Sequence, residues 1–111
     1  MDTTIKYLPL EWIESEIGKS LPIKAGNGLS KTDPLILSGM DKSEVPELEH
    51  AIIRLSLKRY GLQPATGITQ ELVSVNGRWI EKVELKFSFS GRNTKNAKLL
   101  RVYFDLTEII P

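Results

Sequence analysis

Hydrophobic positions recur at two different spacings along this chain, and the change from one to the other divides it. Between residues 9 and 18, Leu10, Ile13 and Ile17 fall at i, i+3 and i+7, one face of a helix, while Glu11, Glu14 and Ser15 point elsewhere. Pro9 suits a first helical position, Glu11 lies near the positive end of the dipole, and Gly18 suits the left-handed position that ends a helix. A longer helix is predicted from 44 or 46 to 60. There Leu48, Ala51, Ile52 and Leu55 form an apolar stripe that Ile53, Leu57 and Tyr60 widen, while Glu47, His50, Arg54 and Lys58 share the opposite side. Gly61 followed by Leu62 reads as a Schellman ending, with Leu62 in reach of Leu57. A stripe this wide calls for a broad surface to cover it.

After residue 65 the period becomes two. Residues 66–75 read as a strand, and Asn76-Gly77 is the dipeptide that most strongly marks a two-residue hairpin. The next strand, 78–89, alternates Val83, Leu85, Phe87 and Phe89 against Lys82, Glu84, Lys86 and Ser88; the last, 99–107, alternates Leu100, Val102, Phe104 and Leu106 against Arg101, Tyr103, Asp105 and Thr107. Prolines and aromatics support the division. Five of the six prolines precede residue 65, and six of the eight aromatics follow residue 59. Residues 19–34 carry Pro22, Gly26-Asn27-Gly28 and Asp33-Pro34 without periodicity and read as a long loop; Leu35-Ile36-Leu37 adds at most a very short strand. The expectation is a single α+β domain, 1–111, in two layers. Two N-terminal helices lie on one face of a three-stranded antiparallel meander, or a four-stranded one if residues 35–37 join it.

Composition narrows the class. The chain has 111 residues, 41% hydrophobic and 26% charged, which excludes a disordered tail and allows one hydrophobic core. A formal charge of +1 supplies no bulk field toward nucleic acid or a membrane surface. Without cysteine there is no disulfide, thiol nucleophile or thiolate metal site. The first residues have neither a basic region nor the apolar run of a signal peptide, and no apolar run approaches a membrane span, so the chain reads as cytoplasmic with no membrane partner.

The tight turn fixes a register: Val75 faces Arg78, Val73 faces Ile80, Glu71 faces Lys82 and Thr69 faces Glu84, with Leu72–Glu81, Gln70–Val83 and Ile68–Leu85 on the core side. The outward set therefore begins with three β-branched residues, Val73, Val75 and Ile80. Either a bulge near Leu72-Val73 or the 19–34 loop hides them, or they form a patch that pairs with another chain. The second reading makes the protein a non-catalytic interaction or accessory domain whose partner is a second copy of itself. Two alternatives stand beside it. Gln70, Trp79 and Glu81, where the sheet outruns its helices, form a candidate small-ligand or minor catalytic pocket. Arg92, Lys95, Lys98 and Arg101, around the second hairpin loop, form a candidate anion or nucleic-acid grip, the least favoured of the three because no nucleic-acid motif accompanies it.

Weaker signals dissolve on inspection. His50 lies among Glu47, Arg54 and Lys58 and reads as solvated surface. Gly26–Thr32 resembles a phosphate loop but has Ser30 where Gly must precede Lys-Thr. No cofactor or metal is implied, and no catalytic residue is assigned.

Overall fold

The computed structural model describes residues 5–88 and 97–110. The elements run α1 (Leu10–Ile17), β1 (Ile23–Ala25), β2 (Leu35–Leu37), a single 3-10 turn (Lys42–Glu44), α2 (Val45–Arg59), β3 (Gln63–Pro64), β4 (Thr69–Val75), β5 (Arg78–Ser88) and β6 (Lys98–Asp105). Local chemistry explains the helix ends. Gly18 takes φ 76° and donates its N–H to the Glu14 carbonyl. Asp41 accepts from the Ser43 N–H at the head of the 3-10 turn, which feeds directly into α2. At the other end of α2 the Leu62 N–H reaches the Leu57 carbonyl at 2.9 Å and the Gly61 N–H reaches Lys58 at 3.2 Å, the two bonds of a Schellman motif.

The sheet departs from the expected meander. Among the described residues it has six strands in the order β1-β2-β6-β5-β3, with β4 also pairing β5, and it is mixed, because β2 runs parallel to β6. The expectation of two N-terminal helices on a three-stranded antiparallel sheet is therefore corrected. The antiparallel run β4-β5-β6 with β5 in its middle is present, but β1, β2 and β3 extend the sheet on either side, and α1 is only eight residues long. The physical reason lies in strand length. β1 and β2 have three residues each and β3 has two, too few for alternation to register. A parallel pair also needs a long crossover, and the one from β2 to β6 contains α2, β3 and the β4–β5 hairpin.

One apolar cluster joins the layers. Ile13 of α1 and Ile52, Ile53 and Leu57 of α2 meet Val83, Leu85 and Phe87 of β5, Leu100, Val102 and Phe104 of β6, and Leu35 and Leu37 of β2. The helices thus cover one sheet face. The former loop 19–34 holds β1 and a tight connection in which the Asn27 and Gly28 N–H groups both donate to the Asp33 carbonyl and the Gly28 carbonyl accepts from Tyr103. Those donors are committed, so no phosphate cradle exists there. Among the described residues no helix is long and apolar enough to cross a membrane.

Candidate functional site

The β4–β5 hairpin carries most of the candidate residues. Asn76 at φ 50° and Gly77 at φ 79° both occupy the left-handed region, which makes the bend a type I′ turn whose twist matches its strands. The observed pairs run without a slip: Val75 with Arg78, Val73 with Ile80, Leu72 with Glu81, Gln70 with Val83 and Thr69 with Glu84. There is no bulge at Leu72-Val73. Alternation then puts Gln70, Leu72, Trp79 and Glu81 on the helix-covered face and Val73, Val75, Arg78 and Ile80 on the other.

The outer face is less open than its sequence implies. Ile80 is only 4% exposed although it belongs to no part of the main core; Val73 and Val75 are half-buried. Ile80 pairs on its far side with Asp105, itself 1% exposed. Asp105 is ion-paired to Arg78 and accepts from the Thr107 hydroxyl at 2.6 Å and the Thr107 N–H at 2.9 Å. Burial by itself would raise the Asp105 pKa, but the Thr107 hydrogen bonds and the Arg78 guanidinium together outweigh it and hold the carboxyl below its usual range. The outward apolar surface available to a partner thus narrows to Val73 and Val75. On the opposite face Leu72 (41%) and Trp79 (39%) stand exposed where the sheet runs past α2.

β4 also has a free flank. Among the described residues its only strand partner is β5. In a two-residue hairpin the residues flanking the turn exchange hydrogen bonds, and the bonded pairs then alternate. Val75, Val73, Glu71 and Thr69 therefore turn their backbone groups toward β5, while Ser74, Leu72 and Gln70 turn theirs outward.

A carboxyl missed at the sequence level completes the site. Glu49 is 0% exposed, and the Gln70 side-chain amide donates to its Oε1 at 3.0 Å. Its other oxygen, Oε2, is buried and meets no donor among the described residues. Burial chiefly, then a hydrogen bond and like charge from Glu81, push the Glu49 pKa up to about 9. The signal was present in the sequence: Glu49 sits four residues after Val45 and three and four before Ile52 and Ile53, inside the apolar stripe. Gln70 and Glu81 lie on the same face of neighbouring strands, Gln70 opposite Val83 and Glu81 opposite Leu72, with Gln70 bonded to Glu49 and Trp79 on the same face.

The chemistry open to this pair is narrow. A fully buried Glu49 cannot touch a substrate. Nearby, His50 is half-buried, with Nε2 shielded and without a partner among the described residues.

The basic cluster is only partly described. Arg92 and Lys95 lie outside the described residues. Lys98 is exposed, and Arg101 is engaged by Glu84 at 2.7 Å. A cleft of about 350 Å³ opens between Ile5, Leu29 and the Lys98–Arg101 stretch. No group of three or more potential metal ligands occurs among the described residues. Comparison with known proteins adds no family: no family model matches the chain, and neither a curated protein nor a solved structure matches it.

Proposed function

We propose that this domain acts through protein contacts and self-associates by its first hairpin, a second copy laying its β4 antiparallel along the free flank of this one. The observation that supports the reading is the character of that flank. Natural edge strands are blunted by proline, lysine, bulges or brevity. β4 has seven residues, no proline, no lysine, no bulge and a single charge at Glu71. It also presents apolar atoms on both faces, Leu72 on one and Val73 and Val75 on the other.

A two-fold axis at Leu72 satisfies the outward backbone groups of Gln70, Leu72 and Ser74. It sets Leu72 against Leu72 of the partner subunit and Glu71 against Val73 of the partner subunit, so no like charges lie directly opposite. A centre at Glu71 would oppose two carboxylates and is disfavoured. One strand pair buries less than the ~1,600 Å² of a standard interface, so the dimer is expected to be weak, with a Kd in the micromolar range.

Light scattering over concentrations from about 10 to about 300 micromolar tests this, because a weak dimer grows in by mass action. The wild type is expected to pass from monomer toward dimer mass. Leu72→Pro removes an outward N–H without removing a ladder bond to β5, and Val73→Lys adds a charge to the edge; both are expected to stay monomeric and folded. A wild type that remains monomeric throughout, or a dimer indifferent to both substitutions, contradicts the proposal.

A further inference from the structure

β6 is paired along the whole of one flank and along only part of the other. β5 accompanies it from Phe87–Lys98 to Ile80–Asp105, whereas β2 meets it at Phe104 and Asp105 alone. The alternation set by the first hairpin carries across β5: its even-numbered residues bond to β4, so its odd-numbered ones bond to β6. In β6 the even-numbered residues then face β5 and the odd-numbered ones face away. Two backbone bonds agree. The Leu106 N–H reaches the Trp79 carbonyl at 2.8 Å, and the Tyr103 N–H turns the other way, to the Gly28 carbonyl at 2.7 Å. Leu99 and Arg101 therefore direct their backbone N–H and C=O groups away from β5, and among the described residues none of these four groups has a partner.

The cleft of about 350 Å³ lies along this stretch. Its lining is apolar apart from Lys98 and Arg101, and it contains no carboxylate. Arg101 is held by Glu84, but Lys98 is exposed and enters none of the described ion pairs; the same is true of Lys86, which stands opposite Leu99 on β5. We propose that this cleft takes an extended acidic peptide segment of a partner protein, which adds to β6 as a short strand beside Leu99–Arg101. A peptide backbone supplies acceptors for the two outward N–H groups and donors for the two outward carbonyls, and such main-chain bonds carry the affinity of strand addition. A simple carboxylate would answer the lysines and leave both carbonyls without donors. Apolar side chains of the peptide meet Leu29 and Leu99, and its carboxylates meet the unpaired cations. At ~3.4 Å per residue the open stretch accepts about three to five residues. Contact this small gives weak binding, with a Kd of about 1 mM. β5 and β6 separate the slot from the outer flank of β4, so the proposal does not rest on self-association.

Amide hydrogen exchange and nitrogen-15 NMR of the full chain test it, with a blocked pentapeptide of alternating valine and glutamate as the probe. The Leu99 and Arg101 amides are expected to exchange fast without peptide and about sixfold more slowly at about 5 mM peptide, the factor 1 + [L]/Kd. The Leu100 and Val102 amides, already bonded to β5, should not respond. The same peptide with lysine in place of glutamate is expected to bind at least about tenfold more weakly, and Lys98→Glu to reduce that preference. Leu99→Pro removes one outward N–H without touching the β5 ladder, so it should abolish binding while α2 and β2 signals stay in place. Peptide that leaves the Leu99 and Arg101 amides unprotected, or equal binding of both peptides, overturns the proposal. Slow exchange of these two amides before any peptide is added would mean that the chain itself covers the edge, and overturns it too. Equal protection by octanoate would give the cleft to a simple amphiphilic anion, and self-association abolished by Leu99→Pro would give it to a second copy; either result overturns the peptide.

Discussion

Glu49 stands where Val45, Ile52 and Ile53 put a helix's apolar face, and its carboxyl is tolerated there because it is neutral. An isosteric amide needs no proton to be neutral. Glu49→Gln keeps an oxygen for Gln70 and an N–H for Glu81, so it is expected to stabilise the protein by about 2–4 kcal/mol at pH 8 and by little near pH 4.5, read by urea unfolding at both. Equal stability of the two proteins at pH 8 would mean that Glu49 carries no burial cost. Its spacing from Val45, Ile52 and Ile53 puts this residue on the buried stripe, yet the sequence reading passes over it, because a carboxylate there is discounted by any reading that sorts residues by polarity. Ile80 shows the opposite case. A β-branched residue on the outward parity reads as exposed, but Ile80 is buried within the chain, with Val73 and Asp105 as its cross-strand neighbours. Burial on the second face of a sheet depends on neighbours distant in sequence, and no local pattern carries that.

Elements long enough to show a period were legible, and short ones were not. α1, α2, β5 and β6 lie within a residue or two of their expected bounds, and the pairs that the Asn76-Gly77 bend predicts are present from Val75–Arg78 to Thr69–Glu84, while the expected Ile68–Leu85 pair falls outside β4. β4 starts at Thr69 rather than residue 66, because Gln63–Pro64 makes its own short pairing with β5 first. β1 and β2 were hidden in a segment of glycine and proline, since what holds them is contact distant in sequence. Leu35 and Leu37 reach the core beside Phe104, and the chain between β1 and β2 folds so tightly that Gly26, at φ 100°, has the Pro34 carbonyl where a Cβ would sit. Gly26→Ala is therefore expected to cost at least about 3 kcal/mol, since backbone must move as well as φ. Gly67→Ala, with open space and no positive φ, is expected to change stability by less than about 0.5 kcal/mol. Thermal unfolding of the two variants side by side measures this; equal losses would show that the β1–β2 connection is not under that constraint.

At the scale of the whole molecule, two buried carboxyls set the pH profile in opposite directions. Glu49 has a folded-state pKa raised from 4.5 to about 9, so the folded state binds more protons than the unfolded one between those values. Its share of stability is full below about pH 4.5 and is lost as pH rises toward 9. Asp105 is held below its ordinary 3.8, so its share is present above that value and lost as pH falls through the folded-state pKa. Maximum stability is thus expected on the acid side of neutrality, at about pH 4.5–6, with a steady decline toward pH 9 that Glu49→Gln flattens; a flat wild-type profile from pH 5 to 9 would contradict it. The same molecule offers one long unguarded strand edge, and the cysteine-free chain allows that edge to be probed at a single point. Leu72→Cys, placed at the two-fold, should bring two thiols within the ~5.5 Å Cα separation that both a hydrogen-bonded antiparallel pair and a disulfide accept. Under mild oxidation it is expected to give a covalent dimer at concentrations where Arg54→Cys, on the exposed side of α2, gives almost none. Failure of Leu72→Cys to cross-link, or equal cross-linking from both sites, would contradict pairing along β4.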